Sequence, residues 1–180
     1  MTCIVGVVTP AGVWIGGDSA AMSGWINTTT AEPKVFTNGG YIIGFTTSFR
    51  MGQLLRFADL PKPLDRTGED LLRFMCTDLV DAVRTLFKDG GFAEKDKEAE
   101  KGGTFLIGVN GALFNLCSDY QVGHTADGYD ACGAGWELAL GALHATSRVQ
   151  PERRIHRALA AAAHHSGAVR APFTILKAGG

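Results

Sequence analysis

Three residues near the start of the chain have the types and spacing for covalent hydrolysis. They are Thr2 in "MTCIVGVV", Asp18 in "GGDS" and Lys34 in "EPKVF". A threonine at a free N-terminus carries nucleophile and base in one residue: the hydroxyl attacks and the α-amine accepts its proton. An α-amine titrates near about 8, far below lysine, so a good fraction is neutral at cellular pH. The amine exists only without Met1, and Thr is small enough for methionine aminopeptidase, so Met1 is expected to be removed. A nearby cation would stabilise the developing alkoxide, and a carboxylate would hold that cation in place. Asp18 ends the second predicted strand, which brings it back beside Thr2, and Lys34 begins the next strand after Pro33. Alone, neither is specific: an Asp at a strand end is more often a turn or cap residue, and a Lys is usually a solvent-facing charge.

Two rival sites are weaker. Cys3 would become terminal only if Thr2 were lost as well, and its side chain should point to the opposite face of the strand. His164 and His165 are neighbours on a predicted helix and diverge by about 100°, with no Cys or carboxylate at ligand spacing, which argues against a metal site. The plain reading is a helix end, where cationic His meets the dipole favourably. Cys3, Cys76, Cys117 and Cys132 show no CxxC spacing. They are expected to be free thiols in a reducing compartment. No cofactor motif is present; in particular there is no P-loop.

The 180 residues are 46% hydrophobic and carry a net charge of −1. That suits a single domain over residues 1–180 and gives no electrostatic footprint for nucleic acid or an anionic membrane. No apolar run approaches the roughly 20 residues of a membrane span. The N-terminus has no basic segment followed by a cleavage site, so a soluble cytoplasmic protein is expected.

The elements that must position these residues follow from periodicity. Cys3 to Val8 is apolar on both alternating faces, as in a strand covered on both sides. "TPAG" turns it into a return strand over Val13 to Asp18, and Ser19 to Thr30 reads as loop or weak strand. "NGG" joins strands at Lys34 to Thr37 and Tyr41 to Thr46. Helices are predicted at Arg50 to Ala58 and Gly68 to Lys88, the latter with Thr67 as N-cap. The charge run Glu94 to Gly103 reads as a solvated loop or helix extension. Strands follow at Thr104 to Val109, Leu113 to Cys117 and near Gln121. "ACGAG" leads into helices at Trp136 to Thr146 and Pro151 to His165, ended by Ser166 and Gly167, before a last strand in "PFTIL". Four strands at the front and three at the back suggest two mostly antiparallel sheets, with a helix pair on each outer face. The expected class is α+β, in four layers ordered αββα.

Terminal Thr, "GGDS", "KVF", "IIGF" and "CGAG" occur here in one order and at close spacing. The chain resembles the proteasome β-subunit family, and most of all its bacterial HslV branch, over essentially its whole length. These are N-terminal-nucleophile (Ntn) hydrolases of αββα fold. The resemblance implies a threonine peptidase with Thr2 as nucleophile and Asp18 and Lys34 as its acidic and basic partners. It places the backbone oxyanion donor at about Thr47 in "GFTTSF", matches Ser166 to a Ser-Gly turn after the last long helix, and puts Ala21 and Glu32 in the specificity pocket. It also implies a homo-oligomeric ring, polypeptide substrates and a separate ATP-dependent unfoldase. Three departures stand out: Ala134 replaces the family's Ser, no acidic residue precedes Ser166 among Ala163, His164 and His165, and the oxyanion loop is "TTS" rather than Gly-rich. These keep a non-catalytic or unprocessed assembly subunit open, as well as an amidohydrolase acting on small amides. Trp25, Phe49 and Trp136 serve either interfaces or core packing.

Overall fold

A computed structural model describes residues 2–91, 94–96 and 99–178. Met1, on which processing turns, lies outside them. The N-terminal hairpin pairs β1 (Cys3–Thr9) with β2 (Gly12–Gly17). Cys3, Val5 and Val7 of β1 pack toward helices, while Ile4 packs toward a second sheet. That two-sided burial is the reason both faces of the strand are apolar.

The Ser19–Thr30 stretch forms its own hairpin, β3 (Ala20–Ser23) and β4 (Ile26–Thr29). Next come β5 (Val35–Asn38) and β6 (Tyr41–Phe45), turned by Gly39 and Gly40, both at positive φ. Helix α1 (Phe49–Phe57) starts where the Ser48 hydroxyl accepts from Arg50 N and Met51 N. The predicted 68–88 helix is interrupted. It runs as α2 (Gly68–Phe74), a π-helical turn over Met75–Leu79, then α3 (Val80–Asp89). In that turn the Thr77 hydroxyl donates to Arg73 O at 2.9 Å, the carbonyl an α-helix reserves for Thr77 N–H. Thr67 occupies the N-cap position, but its side chain makes no capping bond.

The charge run is neither loop nor helix extension over its described part. β7 (Glu94–Asp96) pairs with β8 (Ala99–Lys101). The run has no hydrophobic period, so nothing local signals that pairing. β9 (Phe105–Val109), β10 (Ala112–Leu116) and β11 (Val122–His124) follow. β12 (Tyr129–Gly133) takes in the first three residues of the "ACGAG" stretch, expected only as a lead-in to a helix. Helices α4 (Trp136–Ala145) and α5 (Pro151–His165) and strand β13 (Thr174–Ala178) complete the chain.

The strands do not divide into front and back sheets. One sheet has the order β12-β1-β2-β13 and the other β11-β10-β9-β6-β5, so each mixes early and late strands. Hydrophobic clusters fill the three interlayer spaces. One lies between α1–α3 and the five-stranded sheet, one between the two sheets, and one between the four-stranded sheet and α4–α5. The αββα layering is therefore as expected, although the strand assignment is not. Among the described residues no helix is long and apolar enough to cross a membrane.

Candidate active site

The site lies where β1 begins, β2 ends and β5 begins. Thr2 immediately precedes β1 and is buried, at 4% exposure. Asp18 follows the last residue of β2, and its backbone N–H donates to Cys3 O at 3.3 Å. Asp18 Oδ1 accepts both from Cys3 N, at 3.0 Å, and from Lys34 Nζ, at 3.0 Å. Its other oxygen accepts from Ala20 N at 2.8 Å and Arg170 N at 3.2 Å. One carboxylate thus ties the Thr2–Cys3 peptide to a lysine 16 residues away from it. Both side chains of the ion pair are fully buried. Burial pushes the Lys34 ammonium below its usual value of 10.5, with Asp18 pulling the other way. A cation so withdrawn from water acts on nearby charge with little screening.

Glycines allow this approach. A Cβ on Gly17 would lie 2.8 Å from Ile4 Cδ1 and 2.9 Å from Val35 Cγ2, and one on Gly44 would lie 2.4 Å from Ile4 Cγ2. The two sheets therefore touch backbone-close beside Thr2, which brings Lys34 across to Asp18. On the far side of β1, Ala134 N donates to Thr2 O at 2.6 Å. Gly133, at φ +89°, passes so near that a Cβ would sit 1.9 Å from Thr2 O. Sequence reasoning missed Gly133; its signal was the first Gly of "CGAG".

Thr47 has φ +68°, an uncommon conformation for a β-branched residue. Ser48 N donates to Thr46 O at 2.7 Å, closing a tight turn about Thr47. Thr104 braces this loop: its N–H donates to Thr47 Oγ1 at 3.3 Å, and its carbonyl accepts from Thr46 N and Thr46 Oγ1. Among the described residues the Thr47 N–H has no acceptor. Ser166 caps α5, and its hydroxyl accepts from Ala168 N at 3.3 Å. It packs near Gly135, so it stands behind the loop that holds Thr2.

The two pocket candidates separate. Glu32 lines a cavity of about 520 Å³ together with Pro33, Phe45, Phe49, Leu54 and Phe57, whereas Ala21 is not part of that wall. Lys34 Nζ lies 5.8 Å from the Phe49 ring centroid, so the cavity adjoins the buried ion pair. Cys3 packs among the helix-facing residues, and burial pushes its thiol up to about 12, which leaves it a poor nucleophile. His164 and His165 are both exposed on the last turn of α5 with their rings perpendicular. Among the described residues no three metal-ligating side chains gather.

No family model matches the chain, and no curated protein does either. Solved structures do. BPH of Thiobacillus denitrificans, in complex with epoxomicin, superposes with a TM-score of 0.81 at 19% identity, covering 99% of this chain and 100% of that one. HslV from Trypanosoma brucei gives 0.71 at 19% identity, with 97% of each chain covered. The chain has the proteasome/HslV-like Ntn fold. Anbu, the ancestral β-subunit from Yersinia bercovieri, gives 0.67 at 13% identity over 99% of this chain and 82% of that one. At such identities the HslV-like likeness is one of architecture, and the chemistry must be argued from this chain's own residues.

Proposed function

We propose that this chain is a threonine peptidase, a single domain over residues 1–180 that works once Met1 is removed. The observation that carries the reading is the shared Asp18 oxygen, which joins the Thr2–Cys3 peptide to the buried Lys34 ammonium. Thr2 Oγ attacks a peptide carbonyl and passes its proton to its own α-amine. The leaving amine takes that proton as the acyl-enzyme ester forms. Water, activated by the same amine, then hydrolyses the ester. Lys34 stabilises the alkoxide, Asp18 orients Lys34, and Thr47 N–H donates to the oxyanion. Ser166 supports the loop behind Thr2. The apolar cavity beside Phe49 takes a substrate side chain, with Glu32 on its wall and Ala21 along the approach.

The HslV-like fold supports a homo-oligomeric ring; the reading extends to polypeptide substrates, a separate ATP-dependent unfoldase and the cytoplasm. Unpaired cysteines fit that compartment. One observation favours a second reading. Ala134 presents a methyl group where the family resemblance expects a hydroxyl, and it packs with the α5 cluster. A non-catalytic assembly subunit would tolerate that; a small-amide hydrolase of the same fold would share the Thr2 chemistry but not the peptide substrates.

Intact mass is expected to show loss of Met1, and epoxomicin is expected to add once per chain. The Thr2→Ala protein should take no adduct and cleave no peptide. Hydrolysis that survives in pure Thr2→Ala protein overturns the mechanism, and retention of Met1 favours the assembly subunit.

A further inference from the structure

β12 is an edge strand of the four-stranded sheet; Tyr129 and Ala131 face the helices, and the alternate residues face the other sheet. Cys132 there, opposite Ile4, joins the cluster between the sheets. Asp130 stands two residues earlier on the same face, opposite Gly6, whose Cβ position would touch Leu113 of the facing sheet. Asp130 is half-buried there, at the open rim of the layer. Its partners are neutral donors: Asn115 Nδ2 reaches Oδ2 at 3.1 Å across the gap between sheets, and Ala131 N reaches Oδ1 at 2.7 Å. Among the described residues no Lys, Arg or His forms an ion pair with it.

A cavity of about 320 Å³ opens at this edge, lined by Thr104, Asn115, Asp130, Cys132, Gly133 and Trp136. Two of those residues belong to the reacting centre. Gly133 backs onto Thr2 O, and Thr104 braces the Thr47 turn. β1 is flanked by β12 on one side and by β2, which leads to Asp18, on the other. The Asp130 cavity and the Asp18–Lys34 pair therefore stand on opposite sides of Thr2. Trp136 is 42% exposed at this cavity. A carboxylate without a counter-charge, beside an indole face, suits an ammonium or guanidinium group, which gains from both.

The geometry points to a subsite for a basic side chain, Lys or Arg, on the leaving-group side of the scissile bond, with Asp130 as counter-charge and Trp136 as aromatic wall. The inference rests on the peptidase reading. A polypeptide whose acyl side enters the apolar cavity at Phe49 runs its leaving side past Thr2 and Gly133 to Asp130.

The first test is binding, by fluorescence anisotropy, with full-length Thr2→Ala protein. The probes are labelled peptides with Phe before the scissile bond and Lys, norleucine or Glu after it. The Lys peptide is expected to bind about fivefold tighter than the norleucine peptide, the range of one partly exposed charge pair. That preference should vanish in Thr2→Ala/Asp130→Asn and shift to Glu in Thr2→Ala/Asp130→Lys. Equal binding of the Lys and norleucine peptides, or none, overturns the subsite. The second test is the Lys-to-norleucine ratio of kcat/KM in protein with Thr2 intact, taken within each variant so that any general loss cancels. Thr2-dependent hydrolysis indifferent to Lys overturns the subsite and leaves the peptidase reading standing. A Lys preference in binding without any hydrolysis supports recognition of a basic side chain at Asp130 but overturns the peptidase reading, and with it the leaving-group assignment.

Discussion

Lys34 has no solvent-exposed surface, and Asp18 meets its buried ammonium at 3.0 Å, which offsets the cost of taking the charge out of water. Two effects oppose each other on its proton. Burial lowers the pKa and Asp18 raises it, and burial is the larger, so the proton leaves below 10.5. For the proposed mechanism this sets the alkaline limb of the pH profile, and the Thr2 amine sets the acid limb. Activity rises as the Thr2 amine loses its proton near about 8. It falls again when Lys34 is neutralised, because the alkoxide then loses its cation. The expected kcat/KM profile is a bell whose alkaline limb lies below pH 10.5. A plateau that persists to 10.5 or beyond would sink the role given to Lys34. Of the site residues, the return of Asp18 to the first strand was legible from hairpin spacing, whereas the partnership of Lys34 with it came from the family resemblance, because Lys34 precedes β5 of the other sheet. The strained φ of Thr47 was not legible, since nothing about a Thr-Thr-Ser sequence announces a left-handed residue.

At the scale of elements, the site depends on how closely β1 is approached from both sides. Gly17 and Gly44 let the sheets meet next to Ile4, and Gly133 lets β12 run on against the Thr2 carbonyl. Gly133 combines a positive φ with a backbone contact that no side chain can vacate. Gly133→Ala is therefore expected to lose about 2–4 kcal/mol of stability and the epoxomicin adduct with it. Gly141, inside α4, is the control: its Cβ would meet nothing within 4 Å. Gly141→Ala should stabilise the protein by about 0.4–1 kcal/mol. Thermal melts of the two variants check the contrast, and equal melting temperatures would show that the Gly133 contact does not matter. β12 itself was overlooked because only Ala131 and Cys132 of its five residues are buried, and a strand that short is defined by its partner, β1.

For the whole molecule, the exposed apolar residues bear on assembly. Trp25 and Ile26 sit together at the turn of the β3–β4 hairpin, and Phe57 and Leu64 are also well exposed. Single exposed apolar residues are ordinary, but an adjacent Trp and Ile on a projecting hairpin fit burial against another subunit. The proposed ring predicts a mass several times that of one 19.1 kDa chain by light scattering in physiological salt; a monomer would count against the chamber. The layer order αββα was readable from the chain because each layer imprints its own period: two for strands, 3.6 for helices, and apolar residues on both faces where a strand is covered twice. The residue types able to do chemistry at Thr2, Asp18 and Lys34 were readable too, and the β1–β2 hairpin, being local, brings Asp18 back to Thr2; Lys34 reaches them from the other sheet. Only the tertiary structure decided which strands share a sheet, because pairings such as β1 with β12 and β6 with β9 join residues far apart in sequence, and local pattern carries no record of them. Those same long-range pairings set Gly133 against Thr2, Thr104 against Thr47, and Asp130 in one cavity with Gly133 and Thr104.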